Sequence, residues 1–139
     1  MKSQAVFDTN VLISGVLWRG VPFQLLRLAE DGIIEIYSSA DILREIYKVL
    51  FYPKFRKFID KNLTSADELF EKIESLCTLT EVNENIYGVC SDPDDEKFLS
   101  CALSSDVNIL VSGDRHLLSI KQYKTIRILN AQEFHSILI

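Results

Sequence analysis

An α/β fold, with a parallel sheet covered by helices on both faces, is predicted by three features of this chain. Strand-like and helix-like segments alternate along its length, the connections between them are short, and no repeat, low-complexity tract or linker breaks the order. At 139 residues, 47% hydrophobic and 25% charged, the chain also has the size and apolar content of one domain, residues 1–139, with a substantial core.

The elements follow in order. Residues 4–7 are a short apolar run that ends at Asp8-Thr9-Asn10, residue types that favour turns and helix caps, so a strand gives way to a helix there. Helical spacing continues over residues 11–17 and again at Phe23, Leu25, Leu26 and Leu28, with Gly32 as the stop before a strand over residues 33–37. Ser38 or Ser39 caps the next helix, whose Ile42, Ile46, Val49 and Leu50 make an apolar stripe up to Pro53. Residues 55–77 read as one or two more helices, residues 78–82 have weak strand character, and residues 82–89 carry little signal. Pro93 opens a helix to about Ser105, residues 108–111 are another buried strand, and residues 115–120 a short helix. Residues 125–129 are a last strand and residues 132–138 a closing helix.

Composition excludes several classes. No apolar stretch approaches the roughly 20 residues that span a bilayer, and the N-terminus turns polar before a signal-peptide core could form, so a soluble cytoplasmic protein with no membrane partner is expected. Cys77, Cys90 and Cys101 are odd in number and lack zinc-site spacing, which makes them reduced packing residues. The net charge of −5 is unevenly spread. Arg44, Lys48, Lys54, Arg56, Lys57 and Lys61 crowd one stretch, and the following stretch to Glu96 is strongly acidic. The basic segment is either a solvated helix or a phosphate-contacting surface.

Four acids stand where strands give way to helices: Asp8, Glu45, Asp95 and Asp114. In open α/β sheets the carboxyl ends of the strands gather on one edge, where ligands bind. Asp8 and Asp114 follow strands, and Glu45 and Asp95 lie in helix beginnings that face the same edge. Each also has an ordinary reading. Asp8 and Asp114 suit helix caps, Asp92-Pro93-Asp94-Asp95 suits a capped helix start, and Glu45 suits a surface position. Spacing weakens the ordinary reading for two of them. Asp95 precedes Phe98, Leu99 and Ala102 on the stripe that faces the core, and Glu45 lies between Ile42 and Val49 against its own buried stripe. Asp94 aligns instead with Lys97 and Cys101, nearer the margin. An inward carboxylate needs a cation, a hydrogen-bond network or a proton, and no basic residue is an obvious partner for all four. A magnesium or manganese ion accounts for the set together.

Other chemistries fit less well. The phosphate-cradling GxxxxGK[ST] pattern is absent, and Asn10 stands where haloacid-dehalogenase-like phosphatases carry a second aspartate. His116 and His135 lie outside every acidic motif and are expected to be surface or hydrogen-bonded polar residues.

The segments DTNVLISGVL, SSADILREIYKVL, DPDDEKFLSCAL and LVSGDRHLL followed by IRILNAQEF, in this order over nearly the whole chain, resemble the PIN-domain family. The resemblance is closest to the bacterial and archaeal subgroup of toxin components of toxin–antitoxin systems. It implies a three-layer α/β/α sandwich around a central parallel sheet, and a Mg²⁺ or Mn²⁺ site, of one ion or two, built from Asp8, Glu45, Asp95 and Asp114. Asn10 and Ser112 match polar positions that support such a site; Ser112 replaces the threonine common in related proteins and keeps its hydroxyl. Asp92 and Asp94 match the local motif as capping and supporting residues. The implied reaction is hydrolysis of RNA phosphodiester bonds by in-line attack of water, with Lys54, Arg56 and Lys57 as backbone contacts. The implied partners are RNA, a cognate antitoxin that blocks the acidic site, and a second copy in a homodimer. Val16, Leu17, Trp18 and Phe23 could supply a contact surface, although their periodicity favours a place in the core. The alternative is a PIN-like module that binds RNA or protein without cutting; retention of all four acids favours the enzyme.

Overall fold

β1 (Ser3–Phe7) forms where Ala5, Val6 and Phe7 make an unbroken apolar run, and all three are buried at the centre of the sheet. The structure, a computed structural model, describes residues 2–138. Beside β1 lies β2 (Ile34–Ser38), and beyond it β3 (Cys77–Leu79). On the other side lie β4 (Ile109–Val111), then β6 (Ile126–Leu129), then β5 (Gln122–Tyr123). The order is β3-β2-β1-β4-β6-β5, and every neighbouring pair is parallel except β5 with β6. Phe7 pairs with Val111, which sets the carboxyl ends of β1 and β4 level with each other.

The chain therefore winds outward from β1 in one direction, through β2 and β3, then crosses back to β4 on the other side, runs to the edge strand β5 and returns to β6 between them. Right-handed crossovers running in opposite directions put their helices on opposite faces, the arrangement of a doubly wound sheet.

The helices are α1 (Thr9–Leu17), α2 (Val21–Glu30), α3 (Ala40–Leu50), α4 (Pro53–Lys61), α5 (Ala66–Leu76), α6 (Glu96–Ser105), α7 (Arg115–Ile120) and α8 (Ala131–Ile137). Most begin at a side-chain cap. Asp8, Ser39, Ser65, Asp114 and Asn130 each accept a backbone N–H from the first turn of the helix that follows, and Pro53 opens α4, where its missing N–H costs nothing. Gly32 ends α2 with φ +76°, its N–H bonded to Ala29 O at 3.1 Å and the Ile33 N–H to Leu28 O at 2.9 Å. That pair of bonds is the Schellman closure, and its left-handed residue favours glycine. α1 packs on α2 and α3, α2 packs on α8, and α6 lies over β1, β2 and β4. Phe134 of α8 meets Phe7 edge to face at 6.0 Å, joining the last helix to the central strand.

The mixed α/β class and the mostly parallel sheet agree with the sequence reading. Of the one or two helices expected over residues 55–77 there are two, α4 and α5, because the chain turns at Leu63 with φ +53° and Ser65 begins a new cap. Three details depart from the sequence reading. Pro93–Asp95 is a single 3-10 turn ahead of α6. β5 has no counterpart in the sequence reading; its hairpin turns through Lys124 at φ +52°, a residue type that carries no turn signal, and it makes the sheet edge antiparallel. Trp18, expected in the core, is 40% exposed and stacks against Phe58 at 5.0 Å, while Val16 and Leu17 pack against the core. Among the described residues no single helix is long and apolar enough to cross a membrane.

Candidate active site

The opposed winding leaves a crevice where the chain departs from β1 and from β4 in different directions, the topological switch point at which open α/β sheets bind ligands. Asp8 and the Ser112-Gly113-Asp114 turn occupy it. Asp8 donates its N–H to Val111 O at 2.9 Å and Ser112 donates its N–H to Leu129 O at 2.9 Å, so the ladder continues just past the strand ends and fixes both. The Ser112 hydroxyl donates to Asp8 Oδ2 at 2.5 Å and accepts the Asp114 N–H at 3.0 Å, linking the two acids through one buried oxygen. Asp8 Oδ1 meanwhile accepts the Val11 N–H at 2.9 Å. Capping and a place in the cluster are therefore compatible uses of one carboxylate. Burial pushes the Asp8 carboxyl above its ordinary value, the hydrogen bonds from Ser112, Val11 and Gly113 pull it back, and the charge of Asp114 raises it again.

The second wall comes from the start of α6. Asp92 Oδ1 accepts the Asp94 N–H at 3.0 Å, and the Asp95 N–H bonds to Asp92 O at 3.0 Å, which winds the 3-10 turn and turns Asp95 toward the crevice. Asp114 Oδ1 accepts the His116 N–H at 3.0 Å as the cap of α7. The Asp95 carboxyl is pushed up: burial first, then the charges of Asp114 and Asp92, then a hydrogen bond to Asp114 and the charge of Glu45 raise it to about 6. Carboxylates that hold one another's protons in this way are crowded and short of positive charge.

α3 supplies Glu45, whose two oxygens are both engaged. Lys97 Nζ donates to Oε1 at 2.9 Å, and the Thr9 hydroxyl donates to Oε2. Lys97 also reaches Asp94 Oδ1 at 3.2 Å. The Lys97 hydrogen bond, and less so its charge, hold Asp94 below the ordinary carboxylate range, against the opposing effect of burial. For Lys97 itself burial acts downward, but the bonds and charges of Glu45 and Asp94 outweigh it and the net shift is upward.

Asp8, Glu45, Asp95 and Asp114 line one open cleft of about 270 Å³, and Asn10, Asp92 and Lys54 line it with them. Ser112 lies beneath, fully buried. Arg56 and Lys57, exposed on α4, stand outside the cleft; Arg56 borders a separate groove beside Phe51 and Thr64. His116 and His135 take no part in the cleft. Thr9 and Lys97 are the participants that sequence reasoning missed. Lys97 carried a faint signal, three residues after Asp94 on a helix, but its bond to Glu45 spans 52 positions and Thr9's spans 36. Glu96, also unremarked, is buried and accepts the N–H groups of Val89 at 2.6 Å and Cys90 at 3.2 Å, tying the preceding loop to α6.

The donor set suits a hard dication. The acids offer oxygen only, and Cys90 nearby is kept a thiol, pushed up to about 11 by burial and then by Glu96, Asp95, Asp114 and Asp92. Among the described residues no three His, Cys, Asp or Glu groups already stand as the ligand set of one ion. With both Glu45 oxygens committed, a change of partner there would accompany binding.

The sequence profile of the PIN domain matches residues 4–116, a span that contains all four acids. An uncharacterized protein of Methanocaldococcus jannaschii is 34% identical to this chain over 122 residues, covering 87% of this chain and 77% of that protein.

Proposed function

We propose that this chain, which belongs to the PIN-domain family, is a Mg²⁺- or Mn²⁺-dependent endoribonuclease that serves in the cytoplasm as the toxin of a toxin–antitoxin pair. The PIN domain is a nuclease-type fold that typically works with divalent ions, and the chain has that fold. One observation carries the finer reading: four carboxylates from four separate stretches of chain line a single cleft at the switch point, where burial and then the neighbouring acids raise Asp95 to about 6.

Asp8, Asp95 and Asp114 would hold the ion directly or through water, and Glu45 would complete the set or position the attacking water. When bound, the ion supplies Lewis-acid chemistry, activating water and offsetting negative charge that develops on the phosphodiester. Ser112 fixes which way the Asp8 oxygens point, and its buried hydroxyl leaves that carboxylate little freedom to swing. Thr9 does the same for Glu45. Asn10 and Asp92 supply further polar groups on the wall, and Lys54 places a cation beside the acids where a backbone phosphate can pair with it. Arg56 and Lys57 extend the positive track along α4. A cognate antitoxin would cover the acidic cleft, and a second copy would pair through helix faces.

A second reading draws on Glu45. With Lys97 and Thr9 on its two oxygens, the site is also compatible with a module that binds RNA or protein without cutting. The experiment that separates the two incubates the purified protein with structured and single-stranded RNA in Mg²⁺, in Mn²⁺ and in chelator. Ion-dependent cleavage is expected, and binding without cleavage under every condition favours the module.

A further inference from the structure

We infer that Lys97 is the internal counter-ion of the acid cleft, holding Glu45 in the ion-free protein and releasing it when a divalent cation binds. The inference rests on the metal-site reading above and adds a device that regulates it. The Lys97 side chain is only 16% exposed and the Glu45 side chain 23%, so their 2.9 Å contact is partly shielded from solvent and screened less than a fully exposed ion pair. A single ammonium satisfies one oxygen of Glu45, and among the described residues no ion pair reaches Asp8, Asp95 or Asp114. A dication among those acids repels the ammonium and attracts Glu45, so the two cations compete for the same carboxylate.

What makes the exchange feasible is Asp94. It lies 3.2 Å from the same ammonium, its side chain is 68% exposed, and it sits on the same helix three residues before Lys97. When Glu45 turns to the ion, Lys97 keeps Asp94 as a solvent-facing partner and is never left as a buried unpaired charge. Lys97 thus bridges two carboxylates on the cleft wall, Glu45 the less exposed and Asp94 the more exposed, and is a positioning residue whose effect on the reaction passes through Glu45. Thr9 steadies the second Glu45 oxygen during the exchange.

The test is calorimetric titration of the chelator-treated full chain with Mn²⁺ at pH 8, without RNA, comparing wild type with Lys97→Met and Lys97→Arg. Removing the competing charge is expected to tighten Mn²⁺ binding by about tenfold or more, while the arginine variant stays near wild type. Thermal unfolding gives a second readout: ion-free Lys97→Met is expected to melt lower than wild type and to gain more from Mn²⁺. Should Lys97→Met prove poorly folded, Lys97→Gln takes its place. Wild-type binding that Lys97→Met and Lys97→Gln leave unchanged or weaken overturns the inference alone. Wild-type binding that survives Asp95→Asn and Asp114→Asn puts the ion elsewhere and overturns the metal-site reading with it, as does failure of wild type and both Lys97 variants to bind.

Discussion

Asp8 shows how much one side chain carries at this site: one oxygen caps α1, the other takes the Ser112 hydroxyl, and the residue lines the acid cleft. Asp95 is the residue whose titration reports its burial and, after that, the crowding by Asp114 and Asp92. Its carboxyl rises from 3.8 to about 6 on folding, so the ion-free folded state binds the extra proton and loses stability as pH climbs from about 4 to about 6, with no further loss above. Asp95→Asn removes that dependence. In chelator, the variant is expected to gain thermal stability relative to wild type across that window and to hold the gain at higher pH; a difference that is flat with pH contradicts the crowding. Of the three basic residues proposed to contact RNA, Lys54 lines the acid cleft, whereas Arg56 and Lys57 stand apart. Lys54→Glu is therefore expected to weaken RNA binding and lower the slope of log affinity against log salt by roughly 0.7 for a single phosphate contact, while Lys57→Glu changes it less. Salt titrations that rank the two the other way would place the RNA track elsewhere.

At the scale of elements, caps and stops made much of the chain legible. Ser39 before α3, Asp114 before α7, and Gly32 after α2 each act through backbone bonds to residues two to four positions away, which a sequence displays directly. What escaped has a signal that is tertiary or absent: β5 is two residues long and pairs with the edge that β6 presents, and the position of the break before α5, left open between one helix and two, turns on a left-handed Leu63. Gly15 belongs to the same class. Nothing in the sequence distinguishes it from a weak helix residue, yet a Cβ there would lie 2.5 Å from Leu26 Cδ1 and 3.1 Å from Pro22 O. Gly15→Ala is expected to cost about 1–3 kcal/mol by forcing α1 from α2, read as a lower denaturant midpoint with an unchanged slope. A midpoint equal to or above wild type would mean that the α1–α2 contact is looser than it stands.

Over the whole molecule, the doubly wound order turns four distant stretches of sequence into one cleft. The positions of Asp8 and Asp114 after strands, and of Glu45 and Asp95 on inward helix faces, could be read from periodicity because the fold class fixes where strand ends gather. Their partners could not. Thr9, Lys97 and the loop held by Glu96 reach the site or its rim through contacts that exist only once the sheet has formed. The measurement that bears most directly on the proposed ribonuclease is the rate of RNA cleavage by wild type and Asp8→Asn side by side at saturating Mn²⁺. Asparagine keeps the helix cap and removes the charge, so the variant is expected to stay folded and to lose at least about a hundredfold in rate, with wild type silenced by chelator. Cleavage by folded Asp8→Asn at the wild-type rate, persisting in chelator, would contradict a metal centre built on these acids.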